Sequence, residues 1–157
     1  MTKIKKILTI FFFVPLILSS CGYQKIYEKD KKLINIVEFE VSGNKRIGSS
    51  LKNEILLISS SEGVNKFILK AKVDKNKEVK DKNISGKITK YSLKLEVNLS
   101  LKEVNSSRSL IRNFSQTNDY DVLKSHSDTL STEKKLIENM TQQIGEDIIN
   151  FLNIYVN

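Results

Sequence analysis

From Tyr91 to Lys102 apolar and polar side chains alternate without a break, and a run of that kind leaves the chain few folds to choose from. Tyr91, Leu93, Leu95, Val97, Leu99 and Leu101 fall on one side; Ser92, Lys94, Glu96, Asn98, Ser100 and Lys102 fall on the other. Successive side chains of a strand point to opposite faces, so a period of two means a sheet buried on one face and polar on the other. The same alternation recurs upstream, where Phe67, Leu69, Ala71 and Val73 interleave with Ile68, Lys70, Lys72 and Asp74. A one-faced sheet needs an apolar cover, and the rest of the chain must supply it.

Two segments have the right spacing for that cover. Ile47, Leu51, Ile55 and Ile58 recur at intervals of four, four and three, which aligns them on one helical face. Ser59 to Gly63 ends this helix, with Gly63 the expected C-cap. Near the C-terminus, Leu136 or Ile137, Met140, Ile144, Ile148 and Phe151 or Leu152 form a second stripe, with Thr129 or Ser131 as N-cap and Glu133 near the positive end of the helix dipole. Leu33 to Phe39 is rich in β-formers and reads as a first strand, broken at Ser42-Gly43-Asn44. Residues 75–87 are expected to connect the two alternating strands as a long lysine-rich hairpin turning back at Ser85-Gly86. Asn105-Ser106-Ser107 marks the next turn, residues 108–117 a fourth strand, and Tyr120 to Ser127 a polar connection. The order strand, helix, strand, strand, strand, helix gives an α+β fold. Its expected form is a two-layer sandwich, two helices packed on one face of a four-stranded sheet that is mainly antiparallel or mixed.

The N-terminus carries a separate signal. Lys3, Lys5 and Lys6 precede an apolar run from Ile7 to Leu18, 12 residues long. That is well short of the roughly 20 residues a helix needs to cross a bilayer. Leu18-Ser19-Ser20-Cys21 follows, an aliphatic residue and two small ones ahead of a cysteine, which has the form of a lipobox. Small side chains let a peptidase approach the backbone, and the thiol accepts a diacylglycerol. The pattern predicts an exported chain with residues 1–20 removed as a lipoprotein signal peptide, lipidation at Cys21, a tether over residues 21–32 and a single domain over 33–157. Gly22, where an Asp would favour retention in the inner membrane, directs the expectation to the outer membrane.

Export narrows the meaning of the charge. The full chain carries +8, and loss of Lys3, Lys5 and Lys6 brings the mature chain to +5. Residues 70–90 hold eight lysines against Asp74, Glu78 and Asp81, so the basicity is local. Lysines there could meet phosphates or acidic sugars as point charges; nucleic acid is disfavoured because export removes the protein from it. Cys21 is the only cysteine and His126, placed in a polar loop, the only histidine. Glu146 and Asp147 are adjacent on a helix and do not face each other. With no nucleophile, metal-ligand, Walker or dinucleotide pattern, neither an enzyme nor a cofactor or metal is expected.

Cys21-Gly22-Tyr23-Gln24-Lys25-Ile26-Tyr27 resembles the mature start of the LPS-assembly lipoprotein LptE family of alphaproteobacteria, which commonly reads Cys-Gly, an aromatic, a polar residue, Pro, an aliphatic residue and Tyr. Lys25 stands where the family usually has Pro. The element order is also similar: a short strand, an amphipathic helix with Arg46 near its start, strand residues Phe67-Ile68-Leu69, a long alternating strand and a C-terminal helix. The resemblance implies a protein of the periplasmic face of the outer membrane that plugs and helps assemble the LptD β-barrel and binds lipopolysaccharide. Basic residues at one end of the sheet are associated with that lipid in the family. By position and charge, the implied contacts here are Lys75, Lys77, Lys80, Lys82, Lys87 and Lys90. An auxiliary lipoprotein of a lipid-trafficking ABC transporter is the alternative reading of the same sandwich and lipobox.

Overall fold

The computed structural model describes residues 34–106 and 108–156; the signal segment, Cys21 and the tether lie outside the described residues. The chain runs β1 (Ile34–Gly43), α1 (Lys45–Leu56), β2 (Asn65–Lys82), β3 (Ile88–Glu103), β4 (Ser109–Asp121) and α2 (His126–Val156). The strands lie side by side in sequence order. β1 pairs parallel with β2 through the α1 crossover, while β2, β3 and β4 form an antiparallel meander. The result is the α+β arrangement read from the sequence, with a mixed sheet.

The alternation fixes which face is covered. Leu69, Val73, Leu93, Leu95, Val97, Leu99 and Leu101 are almost completely buried, and so are Leu51 and Ile55 of α1 and Met140, Ile144 and Ile148 of α2. These residues form one continuous core between the sheet and the two helices. Burial of such side chains contributes about 1.5–3 kcal/mol each. Gly43 makes the β1–α1 corner: its φ is 79°, and a Cβ there would sit 2.2 Å from the Val73 carbonyl oxygen. Asn44 then caps α1 by accepting from Ile47 N–H at 3.2 Å.

Several boundaries differ from the sequence reading. α1 is closed by Leu57 in a right-handed conformation, not by Gly63. The reason is tertiary, because Gly63 is pressed against the backbone of Ile34, 2.5 Å from where its Cβ would be. β2 does not stop at Asp74 but continues through the lysines to Lys82, since β3 supplies a partner as far as Ile88. The connection is only the tight turn at 83–87, held by Asn83 Oδ1, which accepts from the amides of Ser85 and Lys87 at 3.1 and 2.9 Å. Tyr120, expected in a loop, is buried in β4 opposite Tyr91. α2 begins at His126 rather than near Thr129 or Ser131, with Ser125 accepting from Thr129 N–H through its carbonyl at 3.1 Å. His126 is thus the first residue of a helix, still exposed.

Candidate functional site

β1 ends where Gly43 meets Val73, so the far half of β2, from Asp74 to Lys82, has β3 on one side and no strand on the other. An uncovered edge invites pairing with a foreign strand, and lysines and bulges are the usual defence. Both are present, with Lys75, Lys77, Lys80 and Lys82 on this stretch and register shifts at Val79/Asp81 and Asp81/Lys82. Part of the basic character therefore guards an edge.

The pleat then sorts the lysines. Lys75 and Lys77 pair in register with Leu95 and Leu93, which places both on the helix-covered face. There they meet Glu133 of α2. Its Oε2 accepts from Lys77 at 2.6 Å and from the Tyr120 hydroxyl at 2.7 Å, and its Oε1 accepts from Lys75 at 3.3 Å. The Lys77 ammonium also lies 4.1 Å from the centre of the Tyr91 ring and 5.4 Å from that of Tyr120. The Glu133 side chain is only 12% exposed. Burial alone would raise its pKa, but the hydrogen bonds from Lys77 and Tyr120, with the charge of Lys77 and a bond from Lys75, hold it at about 2. Lys77 answers in the opposite direction: burial pulls its pKa down, and hydrogen bonds to Glu133 and Tyr120 outweigh that and raise it. The cluster, two ammonium groups sharing one carboxylate, is a charged clasp between α2 and the sheet.

Lys80 and Lys90 are engaged by Asp119 and Asp121 of β4, the latter at 3.6 Å. Among the described residues, the side chains of Lys82 and Lys87 make no ion pair. They flank the turn that carries Ile84, whose side chain is fully exposed. Of the six lysines singled out by sequence, Lys75 and Lys77 are brought together, Lys80 and Lys90 each join β4, and two remain free. Sequence reasoning missed Glu133 as their acceptor and Tyr120 as its second donor. The signal was readable, because the period of two through Phe67, Leu69, Ala71 and Val73 continues to Lys75 and Lys77.

The face of the sheet away from the helices is polar and uncovered. Several of its charges pair among themselves: Lys70 with Glu40 at 2.7 Å, Lys72 with Asp74 at 3.4 Å, Lys94 with Glu96 at 2.7 Å. Hydroxyls and amides such as Asn98, Ser100, Asn113 and Ser115 lie between them. On the opposite side of the molecule, a cavity of about 500 Å³ opens between α1 and the N-terminal half of α2. Among the described residues no group of three or more His, Cys, Asp or Glu could hold a metal, and no helix is long and apolar enough to cross a membrane.

No family model matches the sequence, and no curated protein matches it either. The fold, in contrast, is shared with solved structures of bacterial lipoproteins. Rare lipoprotein B from Shewanella oneidensis is similar with a TM-score of 0.58 at 14% identity, over 73% of this chain and 92% of that one. Lipoprotein B from Nitrosomonas europaea gives 0.61 at 17%, over 80% and 87%. A minor lipoprotein from Acinetobacter baumannii gives 0.57 at 11%, over 80% and 92%.

Proposed function

We propose that this chain is a lipid-anchored, non-enzymatic scaffold and binding subunit on the periplasmic face of the outer membrane. In this reading it seats in the lumen of an LptD-type β-barrel, helps that barrel assemble, and binds lipopolysaccharide on its way to the outer leaflet. The observation that carries the reading is the open sheet face, mostly polar apart from Ile68 and the exposed Ile111, with three ion pairs formed within it. Such a face suits a wet, polar wall, which is what the inside of an outer-membrane barrel presents. Four strands at about 4.8 Å make a sheet roughly 19 Å wide. With a helix layer on top, this calls for a barrel of the large class whose lumen is plugged. The lipoprotein fold and the lipobox ending at Cys21 support the anchored placement.

Affinity purification of the lipidated protein from outer membranes tests the reading. Recovery of a large barrel protein is the expected result; recovery of a permease and a periplasmic substrate-binding protein would transfer the assignment to a lipid-trafficking transporter. For the lipid contact, the free ammonium groups of Lys82 and Lys87 are the first choice, because Lys75 and Lys77 are already committed to Glu133. The variant K82Q/K87Q is expected to weaken lipopolysaccharide binding most at low salt. Unchanged binding would remove the hairpin from consideration.

A further inference from the structure

The cavity between α1 and α2 has a charge pattern that the barrel reading does not use. The two helices run parallel, and the groove between them is lined on one side by Arg46, Ile47, Ser50 and Glu54 and on the other by Leu130 and Ile137. Two of the ion pairs at its rim are satisfied internally, Lys75 with Glu133 and Lys134 with Glu138. Arg46 and Glu54 remain. Neither makes an ion pair or side-chain hydrogen bond among the described residues, and they mark the two ends of the groove. Eight helical residues separate them, about 12 Å along the axis. Between them Ile47, Leu130 and Ile137 supply apolar surface beside Ser50, Thr141 and Gln142, and Leu130 keeps 50% of its surface in water.

Glu54 is the more informative of the two. Its carboxylate lies against α2 at Gly145, where a Cβ would come within 2.6 Å of Oε2. Burial, and secondarily the charge of Glu146, raise its pKa. A half-covered carboxylate without a cation is an unmet acceptor, and an incoming basic group would complete it. At the other end an exposed guanidinium is free to take a carboxylate in a fork.

The geometry points to this groove as a docking site for an amphipathic helix of a partner protein, with apolar side chains against Leu130, Ile47 and Ile137, an acidic residue on Arg46 and a basic residue about two turns away on Glu54. Helix-in-groove recognition uses anchors at i, i+3/i+4 and i+7, and the span between the two charges fits that pattern.

Three fluorescein-labelled, lactam-bridged helical peptides of 14 residues, each with leucines on one face, test the site by anisotropy with the mature full chain. They carry Asp and Arg, Asp and Asp, or Arg and Arg at positions eight apart. A free peptide chooses its own direction on the groove, so the mixed peptide can always set Asp on Arg46 and Arg on Glu54, and only the sign combination is read. The unsubstituted protein should bind the mixed peptide at least ~10-fold more tightly than the other two. E54R should shift the preference to the diacidic peptide and R46E to the dibasic one, while E54Q lowers the preference without inverting it. Leu130→Asp should weaken all three. Thermal melts by circular dichroism separate a folding defect from a binding defect. Equal affinity for the three peptides would overturn the proposal, as would a constant preference for the diacidic peptide that E54R leaves unchanged. A dimer in sedimentation equilibrium that R46E dissociates would also overturn it, by assigning the groove to a second copy of this chain.

Discussion

Replacement of Glu133 by Gln keeps the shape of the clasp and deletes its charge, so it isolates what the carboxylate contributes. The ordinary carboxyl value is 4.5 and the folded value is about 2. At about 1.4 kcal/mol per pH unit, that gap amounts to about 3 kcal/mol. Lys75 and Lys77 keep 30% and 31% of their side-chain surface in water, so solvent screening trims the expected effect to about 2–3 kcal/mol. For a domain of this size, that lowers the melting temperature by roughly 10 °C. Because the folded pKa lies below the unfolded one, the stabilisation is complete above about pH 4.5 and is lost as pH falls from there towards 2. Urea titrations followed by far-ultraviolet circular dichroism, for the unsubstituted chain and E133Q at intervals from pH 7.5 to 2.5, measure it. The stability gap should be 2–3 kcal/mol at neutral pH and shrink steadily below pH 4.5. A cycle with K77Q should show a coupling of roughly 1 kcal/mol or more. A gap under ~0.5 kcal/mol at pH 7.5, or one that is the same size at pH 3, would refute the assignment of the clasp as a charge-dependent tie.

Glu54→Gln should act in the opposite sense. Its folded pKa is raised above the ordinary 4.5, so the ionised group is a burden above that raised value, and E54Q should have the higher urea midpoint at pH 7.5, with the advantage shrinking as pH falls through the raised value and gone by about pH 4.5. Gly43→Ala introduces a side chain at a φ of 79° and against the Val73 carbonyl, and should cost roughly 3 kcal/mol in the same titrations. Leu95→Ala removes a side chain with 0% exposure from between the sheet and the helices, for an expected loss of about 3–4 kcal/mol.

The elements with one strict period were legible in the sequence. Leu93 to Leu101 and Phe67 to Val73 announced their faces, and the stripe from Met140 to Leu152 announced α2. What escaped was whatever depends on a partner distant in the chain. Lysines look like a loop when read locally, yet Lys75 to Lys82 form a strand because β3 is already there to pair with them. Tyr120 looked like part of a polar connection because its neighbours are Asp119 and Asp121, while its own burial comes from Tyr91 and Glu133. Gly63 is required by close approach of Ile34, 29 positions upstream, and no rule about helix ends could reveal that. At the candidate site, sequence located the lysines but not the carboxylate that two of them share, since Glu133 lies more than 50 residues from them.

The parallel start of the sheet sets a polarity on the whole molecule. Ile34 pairs with Asn65, the first residue of β2, whereas the turn after Lys82 lies at the other end of that 18-residue strand. At about 3.3 Å per residue, those two levels are some 50 Å apart or slightly more. A surface that grips the chain ahead of Ile34 therefore raises Ile84 and its two free lysines like the top of a mast. That height exceeds the roughly 30 Å thickness of a bilayer's hydrocarbon core. If the chain seats in a barrel as proposed, a foot held at one leaflet leaves the crown at the level of the other without any part of it bending.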